Sequence, residues 1–149
     1  WVYAARGGNF ARTMLRLAGE RDALNVVDDQ FGAPTGAELI ADVSAHCLRS
    51  LQARPELGGT YHLAAAGATT WYAYARHVID WARARGQAIK VAPEAIRPLL
   101  SAAYPTPARR PLNSRLDCRK LQADFGLRLP PWQTGVERML DEVLGSPQA

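Results

Sequence analysis

Lysine is nearly absent from this 149-residue chain: Lys90 and Lys120 are its only two, against sixteen arginines. A chain that grips DNA or RNA through bulk charge concentrates cations on one face and interleaves exposed aromatics. Here Arg12, Arg16, Arg49, Arg76 and Arg83 fall singly on expected helices and the formal net charge is only +4, so no nucleic-acid partner is expected. Apolar runs are short as well, none approaching the ~20 residues of a membrane span, so no membrane partner is expected either. Cys47 and Cys118 are the only cysteines and lack Cys-x-x-Cys spacing, which argues against a zinc site or a disulfide framework. They read as buried thiols in a reducing cytoplasm. The opening Trp1-Val-Tyr-Ala-Ala-Arg6 has neither the charged start nor the long apolar middle of a secretory signal.

The usual catalytic patterns are missing too. No glycines have the Gly-x-Gly-x-x-Gly spacing of a dinucleotide turn, and there is no Gly-x-Ser-x-Gly elbow. His46, His62 and His77 have no ligand spacing. A Tyr-x-x-x-Lys pair, in which the lysine lowers the tyrosine pKa for proton transfer, cannot be formed. The residues four after Tyr3, Tyr61, Tyr72, Tyr74 and Tyr104 are Gly7, Ala65, Arg76, Val78 and Ala108.

What is present is a helix-rich pattern with short strands. Asn9 is placed to cap a helix to about Gly19, with Phe10, Met14, Leu17 and Ala18 on one face. Leu24-Asn-Val-Val27 reads as a strand. Thr35-Gly-Ala-Glu38 is a capping-box pattern opening a helix with the stripe Ile40, Val43, Cys47 and Leu51, which stops before Pro55. Thr60-Tyr-His-Leu-Ala64 reads as a buried strand. Thr70 caps a helix with the stripe Trp71, Tyr74, Ala75, Val78, Ile79 and Ala82. A short strand is expected around Ala88 to Val91. Asp117 caps a small helix ending at Gly126, and Pro130-Pro131 precede a last helix with Val136, Met139, Leu140 and Val143 inside. The strands look like pieces of a sheet whose other members are elsewhere. With an opening on Trp1-Val-Tyr3 and no initiator methionine, the chain reads as the C-terminal part of a longer polypeptide.

Three loops carry recognition chemistry. Tyr104-Pro-Thr-Pro-Ala-Arg-Arg-Pro-Leu-Asn-Ser-Arg115 is stiffened by three prolines and carries Arg109, Arg110 and Arg115, with Asn113 and Ser114 beside them. Guanidinium forks on a stiff loop suit a phosphate-bearing ligand, whereas a merely solvated basic loop has no need of stiffness. Trp1, followed by Gly7-Gly8-Asn9-Phe10, offers an indole face for a sugar ring; a core tryptophan reads equally well. In Gln30-Phe-Gly-Ala-Pro-Thr35, the Gln30 amide suits a base edge and Phe31 a stacking partner. An ordinary strand-to-helix connection explains the same residues.

Taken together, Trp1-Val-Tyr3, Gly8-Asn9-Phe10, Asp28-Asp-Gln-Phe-Gly-Ala-Pro-Thr35, Gly59-Thr-Tyr-His-Leu63, Thr70-Trp71 and the proline–arginine loop resemble the dTDP-4-dehydrorhamnose reductases. These are extended short-chain dehydrogenases/reductases of dTDP-L-rhamnose synthesis. The likeness runs in order through almost the whole chain. It implies an α/β, helix-rich fold: the C-terminal substrate-binding part of such an enzyme, with a few sheet strands and the N-terminal Rossmann core missing. Residues 1–149 would form one unit, strands within 1–27 and 59–64 would complete the Rossmann sheet, and 93–117 would be the substrate loop. The resemblance also implies that Trp1 packs on the deoxysugar. Asn9, Phe10, Gln30, Phe31, Gly32, Pro34, Thr35, Arg109, Arg110, Asn113 and Arg115 would then surround the dTDP-sugar.

NADPH or NADH and the catalytic Tyr-x-x-x-Lys would belong to the missing N-terminal half, the chain's implied partner. Some members dimerise with magnesium held by glutamates, and Glu38 and Glu142 match such positions. Two other readings stand beside this one: a non-catalytic sugar-nucleotide-binding module, and a related reductase or regulatory subunit acting on a different nucleotide. Because neither proton donor nor dinucleotide turn occurs in these 149 residues, the chain alone should consume no NADPH with the 4-keto sugar nucleotide. Turnover above blank in a spectrophotometric assay would refute this.

Overall fold

Helix α3 (Trp71–Ala84) organises the fold because its apolar residues form two adjoining stripes rather than one. Tyr74, Val78 and Trp81 join one core cluster; Ala75 and Ile79 join another. A helix buried on both flanks must have neighbours on both, and the chain supplies them from before and after it. The computed structural model describes residues 1–104, 108 and 110–145.

On one flank lie β1 (Val2–Tyr3) and α5 (Trp132–Leu144), which contribute Tyr3, Trp132, Val136, Met139 and Leu140. On the other lie α1 (Phe10–Glu20), β2 (Leu24–Val27) and β6 (Ile96–Leu99), which contribute Met14, Ala18, Leu24, Val26 and Ile96. A third, smaller cluster joins Val43 of α2 (Ala37–Ala53) to Leu121 and Phe125 of α4 (Arg119–Phe125), with Leu129.

The strands are short. β1 pairs in parallel with β4 (Thr35–Gly36), β2 in parallel with β6, and β3 (Phe31–Gly32) antiparallel with β5 (Thr69–Thr70). The fold is therefore α/β and helix-rich, as the sequence implies.

Several local expectations hold. The Asn9 carboxamide oxygen accepts the Arg12 N–H at 3.0 Å, and the Thr70 hydroxyl oxygen accepts the Ala73 N–H at 3.1 Å. The α3 stripe is buried as read from the sequence, with Trp81 in addition and Trp71 only half-buried. α4 ends at Gly126 in the left-handed region, φ 61°.

Others do not. The capping box at Thr35 is not formed, because Thr35 belongs to β4 and its hydroxyl is used there. It donates to Ala33 O and accepts the Ala65 N–H, both at 3.1 Å. Gly36 is the cap, without a side-chain bond, and Glu38 turns to Arg138 instead. Of the α2 stripe only Val43 is fully buried; Ile40, Cys47 and Leu51 are half-buried.

Residues 60–64 form no ladder among the described residues. The N–H groups at the end of that stretch and just after it go elsewhere: Ala64 to Cys118 Sγ at 3.2 Å and Ala66 to Pro130 O at 2.8 Å. The strand expected at 88–91 is absent as well. Lys90 and Val91 both donate to Ala18 O, at 2.9 and 3.0 Å, and so close off the end of α1.

The strand forms later, at Ile96–Leu99, inside the stretch read as loop. Pro98 hid it. In the ladder, Leu99 O faces β2 and accepts the Asp28 N–H at 2.9 Å. Successive residues point to opposite sides, so the donorless Pro98 nitrogen faces the open edge, where it costs no ladder bond. Asp117 does not cap α4 either: Cys118 holds that position, and Asp117 Oδ1 accepts the Arg119 N–H at 3.0 Å in a local turn.

One glycine is set by packing. Tyr3 is 7% exposed, and burial, reinforced by the Glu38 carboxylate, pushes its phenol up to about 12. Its hydroxyl lies against Gly135, where an added Cβ would sit 2.5 Å from the oxygen but 3.8 Å from Cζ. Gly135→Ala should therefore destabilise the protein by about 1–3 kcal/mol through overpacking. In a Tyr3→Phe background the same change should be neutral or stabilise by up to about 1 kcal/mol, since alanine is the better helix former. Denaturant unfolding of the four proteins checks this; equal costs in both backgrounds would remove the hydroxyl contact as the cause.

Candidate functional site

Residues 28–32 connect β2 to the turn before α2 and face three ways. Asp28 Oδ1 accepts the Thr70 hydroxyl at 2.5 Å, tying the segment to the cap of α3. Asp29 accepts the Ser101 N–H on both carboxylate oxygens, at 2.9 and 3.0 Å, and the Ser101 hydroxyl on Oδ1 at 2.6 Å. The Ser101 hydroxyl bond, foremost among these, holds the Asp29 carboxyl below its ordinary pKa. Phe31 exchanges backbone bonds with the proline–arginine segment: its N–H goes to Leu112 O and its carbonyl accepts the Ser114 N–H, both at 2.8 Å.

Beside this segment opens a cleft of about 720 Å³ between α1, β2 and the start of α3. Its aromatic end is built from Trp1, Trp71 and Phe10. Trp1 lies flat on Trp71, ring centroids 3.7 Å apart and planes 12° from parallel, and Phe10 leans on Trp71 at 4.6 Å. Gly32 makes room for this pair: a Cβ there would fall 2.5 Å from Trp1 Cε2. Among the lining residues the charged ones are Arg21 and Arg110, with no carboxylate, and Asn25, Gln30, Ser114 and Tyr104 supply uncharged polar groups. Two guanidinium groups on an otherwise apolar and amide-bearing wall favour an anionic ligand with a flat or sugar-like part.

The residues expected at the site divide. Trp1, Phe10, Gln30 and Arg110 line the cleft, and Gly32 seats the indole. The Gln30 Nε2 donates to Ser101 Oγ at 2.8 Å. Asn9 is engaged in structure, capping α1 and donating from Nδ2 to Ala4 O at 2.7 Å. The Phe31 side chain is 44% exposed and takes part through its backbone. Pro34 and Thr35 are buried under the loop. Asn113 and Arg115 pair locally, Oδ1 accepting the Arg115 Nε–H at 3.0 Å, and Arg115 stays exposed. Arg109 lies outside the described residues.

Neither glutamate belongs to a cluster of three metal-ligating side chains among the described residues. Glu38 is held by the Arg138 guanidinium at 2.5 Å, and Glu142 is exposed near the end of α5. Among the described residues no group of three metal-ligating side chains exists. The donor set does not fit a magnesium ion.

Reading the sequence alone missed Arg21, Asn25, Trp71 and Tyr104. Asn25 had a signal: in Leu24-Asn-Val-Val27 the buried Leu24 and Val26 leave Asn25 on the opposite face by strict alternation. Trp71 was assigned to the core by its helical spacing, which places a residue on a face but does not say where that face ends.

The model of the RmlD substrate binding domain family matches residues 1–144. The dTDP-4-dehydrorhamnose reductase of Escherichia coli strain K12 is 56% identical over 143 residues, a match covering 96% of this chain and 47% of that protein. A crystal structure of the Clostridium acetobutylicum dTDP-4-dehydrorhamnose reductase superposes with a TM-score of 0.83 at 28% identity, covering 97% of this chain and 46% of that one. The Bacillus anthracis dTDP-4-dehydrorhamnose reductase, solved in complex with NADP, gives 0.76 at 31% identity, covering 95% and 46%. The chain spans about half the length of the curated relatives it matches. Among the described residues no helix is long and apolar enough to cross a membrane.

Gly32 offers a test of the aromatic wall. Its backbone is not left-handed, so Gly32→Ala acts through the indole contact alone. The substitution should displace Trp1 from Trp71, change the near-ultraviolet circular dichroism, and lower stability by about 1–3 kcal/mol. An unchanged aromatic spectrum would show that the indole does not rest there.

Proposed function

The chain belongs to the RmlD substrate binding domain family, and from that premise we propose that it is the sugar-nucleotide-binding part of a dTDP-4-dehydrorhamnose reductase. The observation that carries the proposal is the cleft in which a stacked indole pair faces a wall whose charged groups are Arg21 and Arg110. In this reading the deoxysugar packs on the exposed part of Trp1, the diphosphate meets the two guanidinium groups, and the base lies along β2. Asn25 and Gln30 are the amides within reach of it. Exchange of water contacts for fixed donors and an aromatic face orients the sugar without any chemistry from this chain.

The whole protein, in this proposal, reduces the 4-keto group of dTDP-4-dehydro-6-deoxy-L-mannose to give dTDP-L-rhamnose. A bound NADPH or NADH supplies the hydride, and a tyrosine of the other half supplies the proton. These 149 residues contain no dinucleotide turn, so they do not fit the cofactor, and their share is to bind, orient and exclude water. The N-terminal Rossmann half is the partner this requires. The 67% exposure of Val2 on β1 and the 66% exposure of Leu48 on α2 support a covering surface there. A cytoplasmic location belongs to the same proposal and is supported by the free thiols Cys47 and Cys118. A homodimer also remains part of it.

Calorimetric titration with dTDP tests the assignment. Arg110→Ala and Arg21→Ala should each weaken binding about tenfold or more, as expected for loss of a charge-assisted contact. Trp1→Ala should weaken a dTDP-sugar more than dTDP itself. Affinity untouched by either arginine change would place the phosphates elsewhere.

A further inference from the structure

Asp29 does not line the cleft, yet it makes three hydrogen bonds to Ser101, three residues before the proline–arginine segment begins. Its two oxygens take both donors of Ser101, the N–H and the hydroxyl. Only a carboxylate of this length accepts both without offering a donor of its own. The Ser101 hydroxyl proton is thereby committed to Asp29, which leaves its oxygen free to accept the Gln30 Nε2 at 2.8 Å. The chain of donors runs Gln30 to Ser101 to Asp29, each bond polarising the next.

Ser101 opens a single 3-10 turn, Ser101–Ala103, in which the Ala103 and Tyr104 N–H groups return to Leu100 and Ser101 carbonyls at 2.9 and 3.0 Å. That turn delivers Tyr104 to the wall of the cleft. Among the described residues, the far end of the segment is held by Phe31 through backbone bonds with Leu112 and Ser114 and through the Ser114 hydroxyl, which donates to Phe31 O at 2.9 Å. The near end is held at Ser101 by the Asp29 carboxylate, with the Gln30 amide added.

We propose that Asp29 is a positioning residue for ligand binding: through Ser101 it sets where Tyr104 and Gln30 stand at the cleft, and so how a nucleotide diphosphate is accepted there. The inference rests on the nucleotide-diphosphate reading of the cleft. A residue that merely stabilised the fold would move the unfolding transition and the whole exchange pattern together. A positioning residue moves ligand affinity and the local turn, leaving the rest in place.

The test uses the 149-residue chain, with Asp29→Ala, Ser101→Ala and the double variant, titrated with dTDP and followed by amide hydrogen exchange. Each single change should weaken dTDP at least fivefold, and the double variant should be no weaker than the worse single, because both remove one shared link. The Tyr104 amide should exchange faster while Phe31, Ser114 and the α3 amides stay as slow as in the parent. Parent-like dTDP affinity in Asp29→Ala overturns the proposal, and so does a loss of affinity accompanied by faster exchange throughout α3. If the parent chain binds no dTDP, the nucleotide reading fails by itself. The exchange data then decide about Asp29: faster Tyr104 exchange confined to the turn supports its role, and unchanged exchange overturns it.

Discussion

Contacts made by five consecutive residues, Asp28 to Gly32, join the walls of the cleft. Asp28 reaches the cap of α3, Asp29 and Gln30 reach Ser101, Phe31 fastens the returning segment, and Gly32 gives way to the Trp1 indole. The walls come from parts of the chain far apart in sequence: α1 with β2, the start of α3, and the proline–arginine stretch. This segment touches the last two and the Trp1 indole. Two adjacent aspartates accomplish the connection at a bend just past the end of β2. One faces a helix cap and the other a serine.

This arrangement relies on a rigid support. α3 is buried on two flanks, so the indole of Trp71 at its first turn cannot rotate away from Trp1 without disturbing Tyr74 or Ala75 below it. The cap at Thr70 serves both purposes, since its hydroxyl accepts an N–H of the first turn of the helix and carries the bond to Asp28. Helix initiation and site geometry thus share one side chain. Where the site needs close approach, the chain uses Gly32. Where the core does, it uses Gly135 under the Tyr3 hydroxyl.

Much of the fold was legible from the residues. The Asn9 and Thr70 caps, the stripe of α3 and the left-handed end at Gly126 follow from local rules that the structure obeys. Most of the failures share one cause, competition between a local pattern and a partner remote in sequence. Thr35 had the right neighbours for a capping box, but pairing with the first residues of the chain drew it into a strand. Ile96–Leu99 contains a proline and reads as loop until an edge position makes the missing donor harmless. Glu38 suited a metal or a cap, and a guanidinium 100 residues further on took it.

The sequence by itself determined the family, the lack of a Tyr-x-x-x-Lys pair and of a dinucleotide turn within these residues, and the candidate elements Trp1, Gln30 and the arginine stretch. These depend on residue type and short spacing, which translate directly into backbone restriction and side-chain chemistry. Only the tertiary structure decided which of those residues share a cleft. It brought Arg21, Asn25 and Trp71 to the same cleft as Arg110, turned Pro34 and Thr35 inward, and gave Asp29 its serine. Such relations depend on how far apart two segments end up in space, and that distance is set by the packing of α3 and the register of three short ladders, which no local spacing encodes.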